Sequence, residues 1–276
     1  MRARLTYGLV LAAAVFSPLG AQTVIRYEAF GSTAGLQLNG ATVSEDRILL
    51  ASKQTYRRGS FFTSAQYNVS EFSAVFQFRI SSPGGANDGI EAGADGLTFT
   101  LQRVGASALG DSGIGLGYQG ISSSIAVEFD TFANSHDPDS NHIGINSNGN
   151  ITSLTTVGIA SAFDPNSSNS SQFTDWTVWV DYNGSQLEVR ASNNAIRPSS
   201  PTLAYSISIP STIGGTSAFI GFTAATGAAF GDHEILNFGF SEAYLADGLA
   251  VPEPSTYALM GLGLVAVGWS VWRRRR

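Results

Sequence analysis

Five side chains able to bind a metal fall within fifteen residues of this chain: Glu128, Asp130, Asn134, Asp137 and His142. Their order is E-x-D-x-F-x-N-x-x-D-P-x-x-x-H-I-G-I. In an extended strand Glu128, Asp130 and Phe132 project to one side, while Val127, Phe129 and Thr131 face the other. Beyond the strand, Asn134, Ser135 and Asp137-Pro138 favour a tight turn that folds back over the same spot.

Calcium takes about six to eight oxygen ligands from carboxylates, amide and main-chain carbonyls and water. Asp130, the Phe132 carbonyl, Asn134 and Asp137 supply such a set. Glu128 and His142, with Asp130 and Asp137 shared, make a mixed nitrogen and oxygen site suited to manganese or another divalent transition metal. The expectation is two ions bridged by two carboxylates. Taken singly, acidic residues before a proline are ordinary solvated loop chemistry. The ordered spacing of all five donors favours the metal reading.

The elements that must carry this loop read as strands. Short β-branched and aromatic runs at residues 124–129, 177–182 and 186–191 are separated by Gly, Ser and Asn. That pattern predicts an all-β sandwich or barrel in one domain. Asn183-Gly184 marks a hairpin between two of the runs. Trp176 and Trp179 are expected in the strands and core, and residues 166–171, rich in Ser and Asn, on a surface loop. No amphipathic helix of useful length competes.

Both ends carry separate signals. Residues 1–21 combine a basic start, an apolar stretch and small residues at Leu19-Gly20-Ala21, which predicts a secretory signal peptide. Residues 247–276 hold Val251-Pro252-Glu253-Pro254, an apolar run from 257 to 272 and four arginines. The run is barely long enough to span a bilayer as a short hydrophobic helix, and the arginines orient it with its end in the cytoplasm. Residues 22–246 remain as the folded domain.

The whole chain has 15 basic and 21 acidic residues, a net charge of −6. Without residues 1–21, the arginine tail and Glu253 the balance is 9 against 20, or −11. Nucleic acid is then excluded as a partner, since phosphate binding needs a basic surface. There is no cysteine, so stability must come from a core, which a domain of this size can supply.

The metal segment resembles that of the legume-type (L-type) lectins, whose fold is an antiparallel β-sandwich, a concanavalin-like jelly roll. Ala94-Asp95-Gly96-Leu97-Thr98-Phe99 is similar to the family's A-D-G-x-x-F element, and Gly113-Ile114-Gly115-Leu116-Gly117-Tyr118 to its glycine loop. Trp179-Val180-Asp181-Tyr182, Gly221-Phe222-Thr223-Ala224-Ala225-Thr226-Gly227 and His233-Glu234-Ile235-Leu236 continue the likeness, which spans residues 25–243. It implies a non-catalytic protein that binds sugars with calcium and manganese. Asp95 becomes the sugar-binding carboxylate, joined to Ala94 by a cis peptide. Asn134 touches calcium and sugar, Phe132 stacks on the sugar ring, and a main-chain N–H near Gly113 donates. The loop with Ala228 and Ala229 is where the family varies sugar preference, and His233 is structural. Asn146 stands where many relatives have Asp, and Ser153 is the candidate serine behind the metal. Phe230 either stacks on ligand or packs on the sandwich; His136 has no assigned role.

The tail resembles the PEP-CTERM sorting signal of Gram-negative bacteria that make extracellular polysaccharide. This implies a precursor held transiently in the inner membrane, an exosortase-type protease as partner, and release to the cell surface or matrix. Glycans, the cell's own exopolysaccharide among them, are the expected ligands, with weak single sites favouring a homo-oligomer. Two alternatives differ in class. A glycoside hydrolase of similar architecture needs E-x-D-x-x-E, but Ala133 stands at the last position. A structural matrix or adhesion protein would keep the sandwich and be free to lose Asp95, which this chain retains.

Overall fold

The computed structural model describes residues 24–88, 93–164 and 174–251. The expected signal peptide, the apolar run at 257–272 and the loop at 166–171 lie outside the described residues. Among the described residues, no helix is long and apolar enough to cross a membrane.

The strands run in chain order as β1 (Val24–Tyr27), β2 (Leu36–Asn39), β3 (Thr42–Ser44), β4 (Arg47–Ala51), β5 (Arg58–Thr63), β6 (Tyr67–Asn68), β7 (Phe72–Gly85) and β8 (Gly96–Gln102). They continue as β9 (Ser124–Asp130), β10 (His142–Ser147), β11 (Thr155–Gly158), β12 (Trp176–Tyr182), β13 (Gln186–Ser192), β14 (Leu203–Ser206), β15 (Ser217–Ala225) and β16 (Ala229–Ser241). A short α-helix, α1 (Ile209–Ile213), precedes β15. The first sheet has the order β14-β13-β12-β7-β16-β4-β3, with β1 pairing β16. The second has the order β11-β10-β9-β8-β15-β5-β2, with β6 pairing β15. The result is the antiparallel sandwich.

Period-two alternation places the core between the sheets. Phe76, Phe78, Val178, Val180, Phe238 and Phe240 face inward from the first sheet and are buried. Leu97, Phe99, Val127, Phe129, Ile143 and Phe222 meet them from the second. Phe76 stacks on Phe99 at 5.5 Å between ring centroids and lies edge-on to Phe222 at 4.8 Å. Such pairs add about 0.5–1.5 kcal/mol each beyond area burial. Trp176 and Trp179 are buried in β12, and Tyr182 and Leu187 pair across the Asn183-Gly184 turn.

Pattern alone would leave the outer face of β8 and β9 in water, yet every residue of both strands is buried. The connection between β8 and β9 folds over that face. Tyr118 and Ile121 pack on Phe62 and Ala126 as a second small core. Thr98 and Thr223 share a hydrogen bond at 2.8 Å, and Thr223 donates to the Leu116 carbonyl. The polar face is therefore internally satisfied, as burial demands. At Gly117, φ is +67° and an added Cβ would meet the Ala224 carbonyl at 2.8 Å, so the cover can lie this close only with glycine.

Candidate metal centre and binding cavity

Strand register assembles the metal residues. Asp130 on β9 pairs with Gly96 on β8 and with His142 on β10, and Glu128 pairs with Thr98 and Gly144. Two rows of a three-strand segment thus present Asp130 beside His142, and Glu128 one pleat further along. The turn after β9 brings Asp137 back. Ligand atoms of Asp130, Asp137 and His142 lie within 4.8 Å of one another. Glu128 Oε1 is 3.5 Å from His142 Nε2. The turn is held by its own carboxylates, since Phe132 N–H donates to Asp130 Oδ1 at 2.8 Å and Asn134 N–H to Asp137 Oδ2 at 2.7 Å.

Glu128 is braced from behind. The Asn146 amide donates to its Oε2 and the Ser153 hydroxyl to its Oε1, while Ser153 and Asn146 Oδ1 are 2.6 Å apart. Asn146 thus turns a donor toward Glu128, where an Asp would bring a second carboxylate. Gly144 makes room for this arrangement, because a Cβ there would overlap both Glu128 Oε1 and Ser153 Oγ. Two neighbours carried no metal-related role in the sequence reading. Asp139 Oδ1 lies 3.4 Å from His142 Nδ1, and His136 Nε2 lies 3.2 Å from Asp137 Oδ1. Neither belongs to the expected ligand set, and only side-chain geometry reveals them.

The electrostatics are those of an acidic cluster. Burial chiefly, and then the charges of Asp137 and Glu128, push the Asp130 carboxyl well above its ordinary range. Burial likewise raises Asp137, against the Asn134 N–H and the two histidines. Burial alone would lower His142, but Glu128, with Asp137 and Asp139, outweighs it and raises the imidazole. Asn134 Oδ1 and both ring nitrogens of His142 are buried without hydrogen-bond partners. Buried polar atoms are rarely left so. A divalent cation fits this donor set, since it would neutralise the carboxylates and take up Asn134 Oδ1 and one ring nitrogen of His142, leaving the other ring nitrogen to a carboxylate beside it.

Above the cluster is a cavity of about 320 Å³. Asp95, Gly113, Phe132, Asn134, Ala228 and Ala229 all line it. Tyr56, Ala86, Ser112 and Ile114 line it too. Tyr56 and Ile114 are exposed at 69% and 43%, and sequence spacing gives no sign that Tyr56 comes near Asp95. The Ala94–Asp95 peptide is cis. Asp95 Oδ2 is buried without a partner, and burial raises the carboxyl to about 7 against a hydrogen bond from the Gly227 backbone. The Gly113 N–H is already given to the Thr226 carbonyl at 3.1 Å. Phe230 is absent from the cavity and packs against Gly84 and Gly85. His233 is fully buried, and burial lowers it to about 4.

A two-sheet sandwich, an acidic donor cluster at one sheet's end and a carboxylate-floored cavity above it define a class of protein. Residues 21–253 match the legume lectin domain, and the chain belongs to that family, whose members bind carbohydrate without catalysis. Residues 250–276 match the PEP-CTERM protein-sorting motif. The probable L-type lectin-domain containing receptor kinase VII.2 of Arabidopsis thaliana is 33% identical over 143 residues, which cover 46% of this chain and 19% of the kinase. This chain therefore spans about a fifth of that relative. Favin of Vicia faba is 31% identical over 195 residues, covering 63% of this chain and 71% of favin. Among solved structures, a winged bean acidic lectin complexed with methyl-α-D-galactose superposes with a TM-score of 0.66 at 22% identity, covering 80% of this chain and 98% of that one. The last likeness is one of fold.

Proposed function

We propose that this protein is an exported lectin that binds glycans through a calcium- and manganese-dependent site, with extracellular polysaccharide as its ligand. The observation that carries the reading is Asp95 Oδ2, a buried carboxylate oxygen without a partner at the floor of the cavity beside Asn134. A sugar hydroxyl is the natural donor to it.

Asp130, the Phe132 carbonyl, Asn134 and Asp137 would hold calcium, and Glu128, Asp130, Asp137 and His142 would hold manganese. Bound metal supplies positive charge that keeps the clustered carboxylates ionised. Asp95 then accepts hydrogen bonds from two ring hydroxyls. Asn134 offers its amide N–H to a third, and its buried, unpartnered carbonyl oxygen would be the atom that holds calcium. Phe132, with Tyr56 and Ile114 at the rim, gives apolar area to the C–H face of the sugar. With the Gly113 N–H given to Thr226, Gly113 serves to shape the turn, and a donor to sugar there belongs to a neighbouring N–H. The variable wall is Ala228 and Ala229.

The PEP-CTERM motif supports export through an exosortase-dependent route, from a precursor anchored in the inner membrane to the surface of a Gram-negative cell. A glycan-array screen with calcium and manganese, repeated after chelation and with Asp95→Ala, tests the reading. Binding lost in both controls is the expected result. If no glycan is bound although both ions are present, the protein is a structural matrix component instead.

A further inference from the structure

The mature domain is strongly acidic, yet three of its nine cations, Lys53, Arg57 and Arg58, fall within six residues between β4 and the start of β5. Lys53 is 3.7 Å from Asp232, and Arg58 donates to the Gly110 carbonyl and lies 3.8 Å from Asp111. The Arg57 guanidinium donates only to Gln54 Oε1 and has no carboxylate within ion-pair reach among the described residues. Both arginines line a second cavity of about 280 Å³, with Ser52, Gln54 and Thr42.

This cavity adjoins the first through a fixed ridge. Tyr56 N–H donates to the Gly227 carbonyl at 3.0 Å, and Thr226 N–H donates to the Arg57 carbonyl at 2.8 Å. Arg57 N–H in turn donates to Thr226 Oγ1 at 2.8 Å. Residues 54–57 are thereby clamped to the loop that borders Asp95. Tyr56 faces the first cavity, while Gln54, Arg57 and Arg58 face the second. Tyr56, lining the first cavity, and Arg57, lining the second, are consecutive in the chain, so a glycan of more than one unit that passes over Tyr56 comes beside Arg57.

We propose that the second cavity is a subsite for the carboxylate of a uronic acid unit, in the same chain as the sugar seated at Asp95. Guanidinium groups suit a carboxylate because their N–H groups form paired, charge-assisted hydrogen bonds. A domain carrying −11 repels polyanions in general, so admitting an acidic chain requires a local cationic patch of this kind. The inference rests on the lectin reading of the first cavity and narrows its ligand to acidic polysaccharide.

The test uses the full chain loaded with calcium and manganese, and oligosaccharides of galacturonate, glucuronate and mannuronate, each paired with its methyl ester. At least one free acid should bind about tenfold more tightly than its ester, a preference that falls with added salt. Arg57→Gln with Arg58→Gln should erase the preference and leave binding of ester and neutral glycans unchanged. Should the double variant not fold, Arg57→Gln alone carries the comparison, since it strands no carboxylate. Equal binding of every acid and ester, no binding of either, or a preference that survives both substitutions overturns the subsite. Acid binding that persists in Asp95→Asn but is lost with the arginines upholds the subsite and removes the lectin reading of Asp95.

Discussion

Thr131 N–H donates to the Asp95 carbonyl at 3.0 Å, so the chain segment that carries Asp130 is bonded directly to the residue at the floor of the cavity. Asp95 N–H is given to the Ala225 carbonyl on the other side, two residues before Gly227. Asp95 is not itself in the proposed ligand set. Its position nevertheless depends on the segment that the proposed metals would organise. Chelation should therefore abolish glycan binding, by releasing Asn134 and Phe132 and by loosening Asp95, which binds no metal itself. Calorimetric titration with an array-identified glycan, before and after chelation, checks this. Unchanged affinity in the metal-free protein would refute the coupling.

Asp95→Asn keeps the shape of the side chain and removes its charge. Charge-assisted hydrogen bonds contribute about 1.5–3 kcal/mol each, so affinity should fall about tenfold or more. Both metals should stay bound, as measured by elemental analysis. Gly227→Val should weaken binding by a steric route, since even a Cβ at 227 would sit 3.2 Å from Asp95 Oδ2. Loss of metal in Asp95→Asn would show that Asp95 acts through the ions.

Glu128 is held by Ser153 and Asn146, and Gly144 leaves the space for that bracing. Residues behind a metal ligand typically contribute about 10- to 100-fold to metal affinity. Gly144→Ala should displace Glu128 and weaken manganese by that order, with calcium affected less because Glu128 is not among its ligands. Ser153→Ala should do the same more mildly. Competition with a fluorescent chelator separates the two ions, and equal losses of both would contradict the assignment of Glu128 to manganese.

Burial raises Asp95 to about 7 and lifts Asp130 and Asp137, and Glu128 raises His142 against burial. Each group holds its proton more tightly folded than unfolded. In the metal-free protein their contribution favours folding at low pH and is lost as pH rises from the carboxylate range through about 7. Cations compete with those protons. The rise in Tm on adding calcium and manganese should be small near pH 5 and large near pH 8. His233, lowered to about 4 by burial, acts on both forms and cancels in the difference. A metal-induced rise that does not vary with pH would count against Asp130 and Asp137 as ligands.

The ligand loop was legible because its donors are close in sequence and alternate with the period of a strand, so pleat and turn chemistry bring them together. The sandwich was legible for the same reason, in runs such as 124–129 and 177–182. What stayed hidden is non-local. Tyr56 reaches the cavity from a loop distant in sequence, and nothing in its own spacing points to Asp95. The cover over Thr98 arises from the length and glycines of the connection between β8 and β9, a tertiary matter. The two register shifts where β16 meets β7, between Phe230 and Asp232 and between Ile235 and Asn237, interrupt an alternation that reads as continuous.

The segment after β16 yields the last prediction. Residues 247–276 read as sorting signal and linker, yet residues up to 251 lie against the first sheet. Leu245 N–H donates to Ser73 Oγ at 2.9 Å, Trp179 Nε1 donates to the Leu249 carbonyl at 3.1 Å, and Arg26 reaches the Val251 carbonyl. Gly248 rests on Arg197, whose Nη2 is 2.7 Å from the fully buried Asp181. Removing this segment uncovers an ion pair, and a buried carboxylate is costly once its partner is loosened. A chain ending at Ala243 should lose about 1–3 kcal/mol in denaturant unfolding, the range for buried groups left unsatisfied. Glycan affinity should hold, because Ser241 and Ser73 lie at the ends of β16 and β7 opposite to Ala229 and Gly85. Eleven or so residues of strand separate the two, roughly 35 Å. Unchanged stability in the shortened chain would mean that the segment only rests on the sheet.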